Sequence, residues 1–166
     1  TMVPLSLELV GRLRTAFPAI VVGVKDSSGD WPYTEHLLEA HRDLIILVGD
    51  ERHLAKAVRL GGQGAISGMA NFLPAEVRSM AVDGRDDGRA ERLVEELLKY
   101  PVIPAVKALV ARLAGDRRWL VPRAPLVSLE PEECNALEGA CDALFQLKAS
   151  GYGRQHGTND APRKGV

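Results

Sequence analysis

The 166-residue chain has little of several features that would fix its class at once. Its two cysteines, Cys134 and Cys141, form neither a disulfide framework nor a zinc-binding pattern. No apolar run approaches the roughly 20 residues that span a bilayer, and the start does not read as a signal peptide. A net charge of −1 leaves no basic excess for nucleic acid or an anionic membrane surface. We therefore expect a cytoplasmic protein that binds neither nucleic acid nor membrane.

What the chain does contain is a repeated order of strand and helix. Continuous apolar runs predict buried parallel strands at 19–24, 44–48 and 64–67. Predicted helices at 30–41 and 51–60 separate them, which is the rhythm of βαβ units. Outside these units only helices are predicted, at 6–16, 74–82, 88–99, 104–113 and 131–149. The pattern indicates an α/β protein whose second half is helical.

One of the six lysines stands apart from the others. Lys25 ends the first apolar strand, whereas the remaining lysines fall in predicted helices or in the tail. Burial at such a place lowers the pKa of a lysine and frees the neutral amine, the nucleophile that attacks a carbonyl carbon. Side-chain alternation puts Gly23 on the same face, where it removes bulk beneath the lysine. The alternative is a lysine that reaches solvent or pairs with Asp26 or Asp30.

Two other patterns suggest sites and do not meet the requirements for them. The glycines of 61–68 resemble a phosphate-binding loop, but they follow a helix and enter a strand, which is the reverse of the required order. We predict a tight turn with Gly61 as the helix cap, and ligand contact at the end of the strand instead. Asp50, Glu51 and His53 lack a partner histidine at ligand spacing, and the acids suit a helix start. We expect no metal and no cofactor.

Three segments, taken in order, carry a resemblance to a known family. Residues 22–30 read Val-Gly-Val-Lys-Asp-Ser-Ser-Gly-Asp, 48–51 read Val-Gly-Asp-Glu, and 60–67 read Leu-Gly-Gly-Gln-Gly-Ala-Ile-Ser. Together they resemble the dihydrodipicolinate synthase/N-acetylneuraminate lyase family of class I aldolases. Weaker matches follow at Ala70-Asn71, 74–76, 106–109 and 123–127, so that the resemblance covers about residues 3 to 148.

The resemblance implies a role for each matching position. Lys25 would form an imine with pyruvate or another 2-keto acid, and the protonated imine would accept the electrons of a neighbouring carbon–carbon bond. Gly49 would shape the substrate site, and Ile66 would present its backbone carbonyl near the pyruvate end. The implied distal pocket involves Ser67 and Gly68. Asp50 and Glu51 hold positions that some members use to contact the sugar-like part of the substrate.

The same resemblance shows what does not match. The family's carboxylate-binding threonine pair and its proton-shuttling tyrosine precede the lysine strand, and Tyr33, Tyr100 and Tyr152 do not fit that motif. The fold implied is the C-terminal part of a (β/α)8 TIM barrel, strands six to eight, followed by a C-terminal helical region. The predicted parts are a partial barrel at 1–85, helices at 86–150 and a disordered tail at 151–166. Full-length members are commonly tetramers.

These observations lead to two hypotheses from different classes. The first is a Schiff-base-forming lyase or aldolase, present as a C-terminal fragment with little turnover alone because its proton-transfer and carboxylate-binding residues are missing. The second is a non-catalytic paralogue or interaction module that retains a half-barrel and associates through its open strand edges. A phosphate-binding module built on 61–68 is disfavoured by the reversed order of its elements.

Overall fold

Parallel strands and connecting helices form the first part of the chain, and helices alone form the second. The computed structural model describes residues 3–146, so the predicted tail at 151–166 lies outside the described residues. The helices are α1 (Leu7–Ala16), α2 (Trp31–Ala40), α3 (Leu54–Arg59), α4 (Pro74–Asp83), α5 (Gly88–Leu97), α6 (Val102–Ala114) and α7 (Pro131–Phe145). Short 3₁₀ turns occupy Glu51–His53, Met69–Asn71 and Arg117–Leu120. Packing divides the chain into two compact units, Thr1–Val102 and Ile103–Val166.

The sheet of the first unit contains three parallel strands in the order β1-β2-β3. Their bounds are Gly23–Asp26, Ile45–Val48 and Gly64–Ala65. In register, Lys25 lies beside Leu47, and Leu47 lies beside Gly64. The predicted parallel α/β arrangement is therefore observed in this unit, with each strand followed by a helix.

The first strand starts later than the sequence predicts. Residues 19–24 were expected to form it, but Ile20 and Val21 both donate backbone hydrogen bonds to the Phe17 carbonyl, at 3.0 and 2.9 Å. Pro18 lies inside the resulting turn, so extended pairing begins only at Gly23. The strand is also not buried on both faces, because Lys25 is exposed while Asp26 is buried.

Aspartates at helix starts set several element boundaries. Asp30 caps α2, as predicted, by accepting a hydrogen bond from the Tyr33 backbone at 3.3 Å, with Pro32 in the first turn. Three further elements begin with an Asp-Xaa-Arg unit, in which the carboxylate accepts from the arginine backbone and also holds its guanidinium. These units are Asp50/Arg52, Asp87/Arg89 and Asp116/Arg118.

The helices of the first unit cover one face of the sheet. Ile46 and Val48 of β2 are 1% and 2% exposed, and Leu37 of α2 and Leu54 of α3 are fully buried. Full burial of such a side chain contributes about 1.5–3 kcal/mol relative to exposure. The opposite face stays open: Ile45 of β2 is 48% exposed and Ile66, just beyond β3, is 53% exposed.

A buried aspartate joins β1 to α2 beneath the covered face. Asp26 is 6% exposed, and its carboxylate accepts from the Thr34 hydroxyl at 2.5 Å and from the Ser28 backbone at 2.9 Å. Thr34, itself 1% exposed, lies in the second turn of α2. These bonds satisfy the carboxylate within the fold and fix the loop that follows the lysine strand.

The second unit is held by helix burial and one arginine. Leu109 of α6 and Leu137 of α7 are each 1% exposed. Arg112 of α6 reaches α7, where it donates to the Glu138 carbonyl at 3.1 Å and forms an ion pair with Asp142. Cys141 is fully buried, and burial raises the pKa of its thiol to about 11. It is therefore a neutral packing residue at physiological pH.

Replacement of Thr34 by valine tests the link between β1 and α2. The Thr34→Val variant keeps the side-chain shape but leaves the buried Asp26 carboxylate short of one donor. We expect the free energy of unfolding, measured by urea titration, to fall by about 1–3 kcal/mol. The matched control is Thr15→Val, whose exposed hydroxyl donates only to the Gly11 carbonyl, and we expect a change of about 0.5 kcal/mol or less. Equal losses in both variants would contradict this account.

Candidate active site at the carboxyl edge of the sheet

Lys25 lies on the open face of the sheet, which we define by Lys25, Ile45, Leu47 and Ile66. Its neighbour Asp26 points to the helix-covered face, so the two do not pair. Within the described residues Lys25 makes no ion pair, and thus the alternative of pairing with Asp26 or Asp30 is not realised. The Lys25 side chain is exposed, so the described residues do not bury it as the sequence predicts.

Gly49, not Gly23, makes room for the lysine side chain. A Cβ at Gly49 would lie 3.1 Å from Lys25 Cε and 2.6 Å from Ser27 Oγ. A Cβ at Gly23 would instead lie 2.5 Å from the Ile45 carbonyl oxygen on the neighbouring strand. Gly23 therefore permits close strand pairing. The prediction that Gly23 removes bulk beneath the lysine is corrected, because the space for the side chain lies at Gly49, directly after β2.

Asp50, next to Gly49, is held by an arginine. Its carboxylate accepts from the Arg52 backbone at 3.0 Å and from the Arg52 side chain through Nε at 3.0 Å and Nη2 at 2.7 Å. Burial raises the pKa of Asp50, but the hydrogen bonds and charge of Arg52 outweigh it, and the pKa lies below its ordinary value. Gly29, at φ +68°, lets the lysine loop pass close by: a Cβ there would lie 3.4 Å from Asp50 Oδ2.

Glu51 faces inward and holds the loop after β3. It is 7% exposed, and its Oε1 accepts from the Ser67 hydroxyl at 2.5 Å and from the Met69 backbone at 3.1 Å. Ser67 also accepts from the Ala70 backbone at 3.0 Å. The Ser67 hydroxyl and this Glu51 oxygen are thus bonded within the fold, which fixes the loop that carries the predicted pocket residues.

The end of β3 lies beside the end of β2, on the face of the sheet that carries Lys25. Ile66 donates its backbone N–H to the Val48 carbonyl at 3.0 Å, so the ladder continues one residue past the strand and aligns Ile66 with Gly49. No described residue donates a hydrogen bond to the Ile66 carbonyl. The Gly68 carbonyl accepts from the Asn71 side chain at 2.9 Å. The glycines before the strand form the predicted helix-to-strand turn, since Gly61 has φ +99° and Gly62 donates to the Ala57 carbonyl at 2.8 Å.

Three further side chains gather near the start of α2. The Trp31 and His53 rings meet edge to face at 5.4 Å, and the Lys56 ammonium lies 3.8 Å from the Trp31 ring centre. Trp31 thus packs against both His53 and Lys56. Among the described residues no group of three His, Cys, Asp or Glu side chains is placed to hold a metal ion. Likewise, no described helix is both long enough and apolar enough to cross a membrane.

The first part of the chain is an α/β unit of parallel strands joined by helices. Polar residues gather where its strands end, so the candidate site lies at the carboxyl edge of the sheet. The chain belongs to the dihydrodipicolinate synthetase family, whose model matches residues 1–144. The crystal structure of dihydrodipicolinate synthase from Agrobacterium tumefaciens str. C58 is 66% identical, with a TM-score of 0.85, and the match covers 87% of this chain and 50% of that one. The predicted family is therefore confirmed.

Two other relatives are more distant. 4-Hydroxy-tetrahydrodipicolinate synthase of Syntrophotalea carbinolica is 32% identical over 157 residues, which cover 87% of this chain and 52% of that protein. N-acetylneuraminate lyase from Fusobacterium nucleatum, solved in complex with pyruvate, is 21% identical with a TM-score of 0.68, covers 86% and 50% of the two chains, and shows the fold alone. The chain spans about half the length of these relatives.

Sequence reasoning missed the arginine of the site. Arg52 was not among the predicted site residues. The Asp-Xaa-Arg spacing, which recurs at Asp87 and Asp116, is the sequence signal that could have indicated its pairing with Asp50. The contact of Ser27 with Gly49 was also missed. It joins two loops 22 positions apart, and no local pattern encodes that contact.

The lowered pKa of Asp50 predicts a pH-dependent contribution to stability. Because the folded pKa is depressed, the stabilisation is present above the unfolded pKa of about 3.9 and is lost as pH falls through the folded value. Asp50→Asn keeps the cap but removes the charge, so we expect it to be less stable than the parent by about 1 kcal/mol at pH 7. The gap should close on acidification below about pH 4.

Urea titrations across pH provide the measurement. Asp116→Asn is the matched control, since it alters the same kind of unit where the arginine is 91% exposed, and its gap should be smaller. A gap for Asp50→Asn that stays constant down to strongly acidic pH would show that the charge pairing contributes nothing.

Proposed function

We propose that the chain carries the imine-forming nucleophile of a lyase or aldolase that acts on pyruvate or a related 2-keto acid, and that Lys25 is this nucleophile. One observation carries the proposal: a lysine without an ion-pair partner extends over a glycine that leaves room for it, at the carboxyl edge of a parallel sheet. Family membership supports the reaction class. The pyruvate complex of the Fusobacterium lyase is the reason for choosing pyruvate as the probe.

The proposed bond-making steps take place between the amine and the keto acid. The neutral Lys25 amine adds to the ketone carbon to give a carbinolamine, which loses water to form the iminium. In the cleavage direction, the bond between the carbon adjacent to the iminium and the following hydroxyl-bearing carbon breaks; that fragment loses its hydroxyl proton and leaves as an aldehyde, and the electron pair is held as an enamine. Protonation of the enamine carbon regenerates the iminium, and bond formation follows the same steps in reverse. Water then releases the product and restores the amine. Proton transfer in these steps requires an acid–base group, and no described residue forms an ion pair with the Lys25 amine.

The remaining predicted site residues have graded roles in this proposal. Gly49 gives Lys25 its path, and the unbonded Ile66 carbonyl is available to the bound keto acid. Ser67 and Glu51 act as positioning residues through their mutual bond. Gly68 and Asp50 are the residues that we propose to border the distal part of the substrate, Gly68 through its backbone and Asp50 through its pair with Arg52.

We further propose that this part corresponds to strands six to eight of a (β/α)8 barrel and has little turnover alone. The exposed Ile45 and Ile66 support this, since the open face would be covered when the remaining strands are present. Covering that face would also desolvate Lys25, the condition that favours a neutral amine. A homo-oligomer, such as the tetramer common in the family, would then form from full-length chains.

Incubation with pyruvate and borohydride tests the nucleophile. Hydride reduces the iminium to a stable secondary amine, so we expect peptide mass spectrometry to find one reduced pyruvate adduct on Lys25. The other lysines serve as internal controls, because they lie in helices, in the turn after α5 (Lys99) or outside the described residues. Lys25→Arg should abolish the labelling, whereas Lys107→Arg, whose ammonium lies 5.0 Å from the Trp119 ring, should leave it unchanged. Labelling spread evenly over all lysines would refute the assignment.

Replacement of Gly49 tests the path of the lysine side chain. In Gly49→Ala the new methyl group would meet Lys25 Cε at 3.1 Å and Ser27 Oγ at 2.6 Å, so the lysine must move. We expect adduct formation on Lys25 to slow by about tenfold or more, which corresponds to an increase of about 1.4 kcal/mol in the activation free energy. Gly139→Ala, where the methyl group meets nothing within 4 Å, should label at the parental rate. Equal rates in both variants would exclude the steric role.

The open face also favours the second hypothesis, a non-catalytic interaction module. Apolar side chains on an uncovered sheet face, together with strand edges that pair with no described residue, fit association with another chain. This reading predicts a cooperative melting transition by circular dichroism without any added partner, combined with no preference of pyruvate for Lys25. Selective labelling of Lys25 would decide against it.

A further inference from the structure

Arg52 lies close to the proposed imine site, and one edge of its guanidinium forms no hydrogen bond with a described residue. Asp50 engages its Nε and Nη2 groups, and no described residue accepts a hydrogen bond from Nη1. The side chain is 31% exposed, so part of it is accessible to solvent. Glu95 contributes attraction to its charge but forms no ion pair with it, and Glu95 is itself exposed. A planar guanidinium in this state can hold a second carboxylate.

Two contacts tie this arginine to the lysine loop. Gly49, whose missing side chain leaves room for Lys25, is bonded directly to Asp50, the partner of Arg52. Gly29, at the far end of the lysine loop, approaches the same pair, with its Cβ position 3.4 Å from Asp50 Oδ2 and 3.9 Å from Arg52 Nη2. The loops after β1 and β2 therefore bring the guanidinium close to the loop that follows Lys25.

The charge of Asp50 is neutralised by the same pair. An aspartate that accepts three side-chain bonds and one backbone bond from a single arginine has little acceptor capacity left for substrate hydroxyl groups. The group that remains able to bind a substrate at this position is the Arg52 guanidinium. Compared with the similar unit at Asp116, where the arginine is 91% exposed, the Asp50 unit is more enclosed, with Arg52 31% exposed.

We infer that Arg52 selects substrates that carry a second carboxylate beyond the keto acid that reacts with Lys25. This inference rests on the proposed function, because it assigns the substrate class of the same site. A dicarboxylic 2-oxo acid would form the imine at Lys25 through its ketone and a charge-assisted hydrogen bond with Arg52 through its far carboxylate. Arg52 is in this role a specificity-determining residue and takes no part in bond making.

Competition between two oxo acids of equal carbon count tests the inference on the full chain. 2-Oxoglutarate and 2-oxopentanoate differ only in the second carboxylate, and borohydride traps either as an adduct on Lys25. We expect 2-oxoglutarate to label Lys25 about tenfold faster, which corresponds to one charge-assisted hydrogen bond at a partly exposed site. The preference should weaken as salt is added, because screening reduces the attraction.

Variants separate a specificity role from a structural one. Arg52→Gln should abolish the preference while 2-oxopentanoate still labels Lys25, and Arg52→Lys should retain part of it. Asp50→Asn frees the second edge of the guanidinium, so the preference should rise. Arg118→Gln, which breaks the matching exposed unit, should leave both labelling rates unchanged.

The outcomes distinguish this inference from the proposed function. If neither oxo acid labels Lys25 selectively, the imine proposal fails and the inference fails with it. If both label Lys25 at equal rates, or if the preference survives in Arg52→Gln, the inference alone is overturned. A loss of 2-oxopentanoate labelling in Arg52→Gln, in step with 2-oxoglutarate, would show a structural role and would also overturn it.

Discussion

Side-chain alternation along β1 sends Lys25 and Asp26 to opposite faces of the sheet, and the arrangement of the site follows from that parity. Asp26 turns inward, where Thr34 and the Ser28 backbone satisfy it, and this anchors the loop that leaves the strand. Lys25 consequently turns outward, beside Leu47 and past Gly49. A shift of one residue in the register would bury the ammonium under the helices and expose the carboxylate. The buried hydrogen bond thus helps to fix the orientation of Lys25.

Acidic residues lie at the carboxyl ends of the first two strands, and each has different hydrogen-bond partners. Asp26 is buried and bonded to neutral donors, Asp50 is paired with Arg52, and Glu51 holds the loop after β3 through Ser67 and Met69. None of these carboxylates contacts the lysine through an ion pair. The amine therefore keeps its hydrogen-bonding capacity, while the negative charges that usually surround a lysine are engaged in building the loops around it.

Local sequence signals predicted most elements but not the contacts between them. Asp30 with Pro32, and the glycines at 61 and 62, encode a helix start and a helix end through their own backbone preferences, and the structure has both. The start of β1 was misplaced because Phe17 closes a turn over an apolar run that reads as a strand. Gly23 and Gly49 are indistinguishable in sequence. Only pairing with β2 shows that one accommodates a backbone carbonyl and the other a lysine.

The missing side chain at position 49 also limits how this chain could diversify. Any residue larger than glycine at position 49 would compete for volume with the Lys25 side chain. Under the proposed function, an engineered library would therefore keep glycine at position 49 among its active clones, while clones that differ at position 52 would differ in substrate preference.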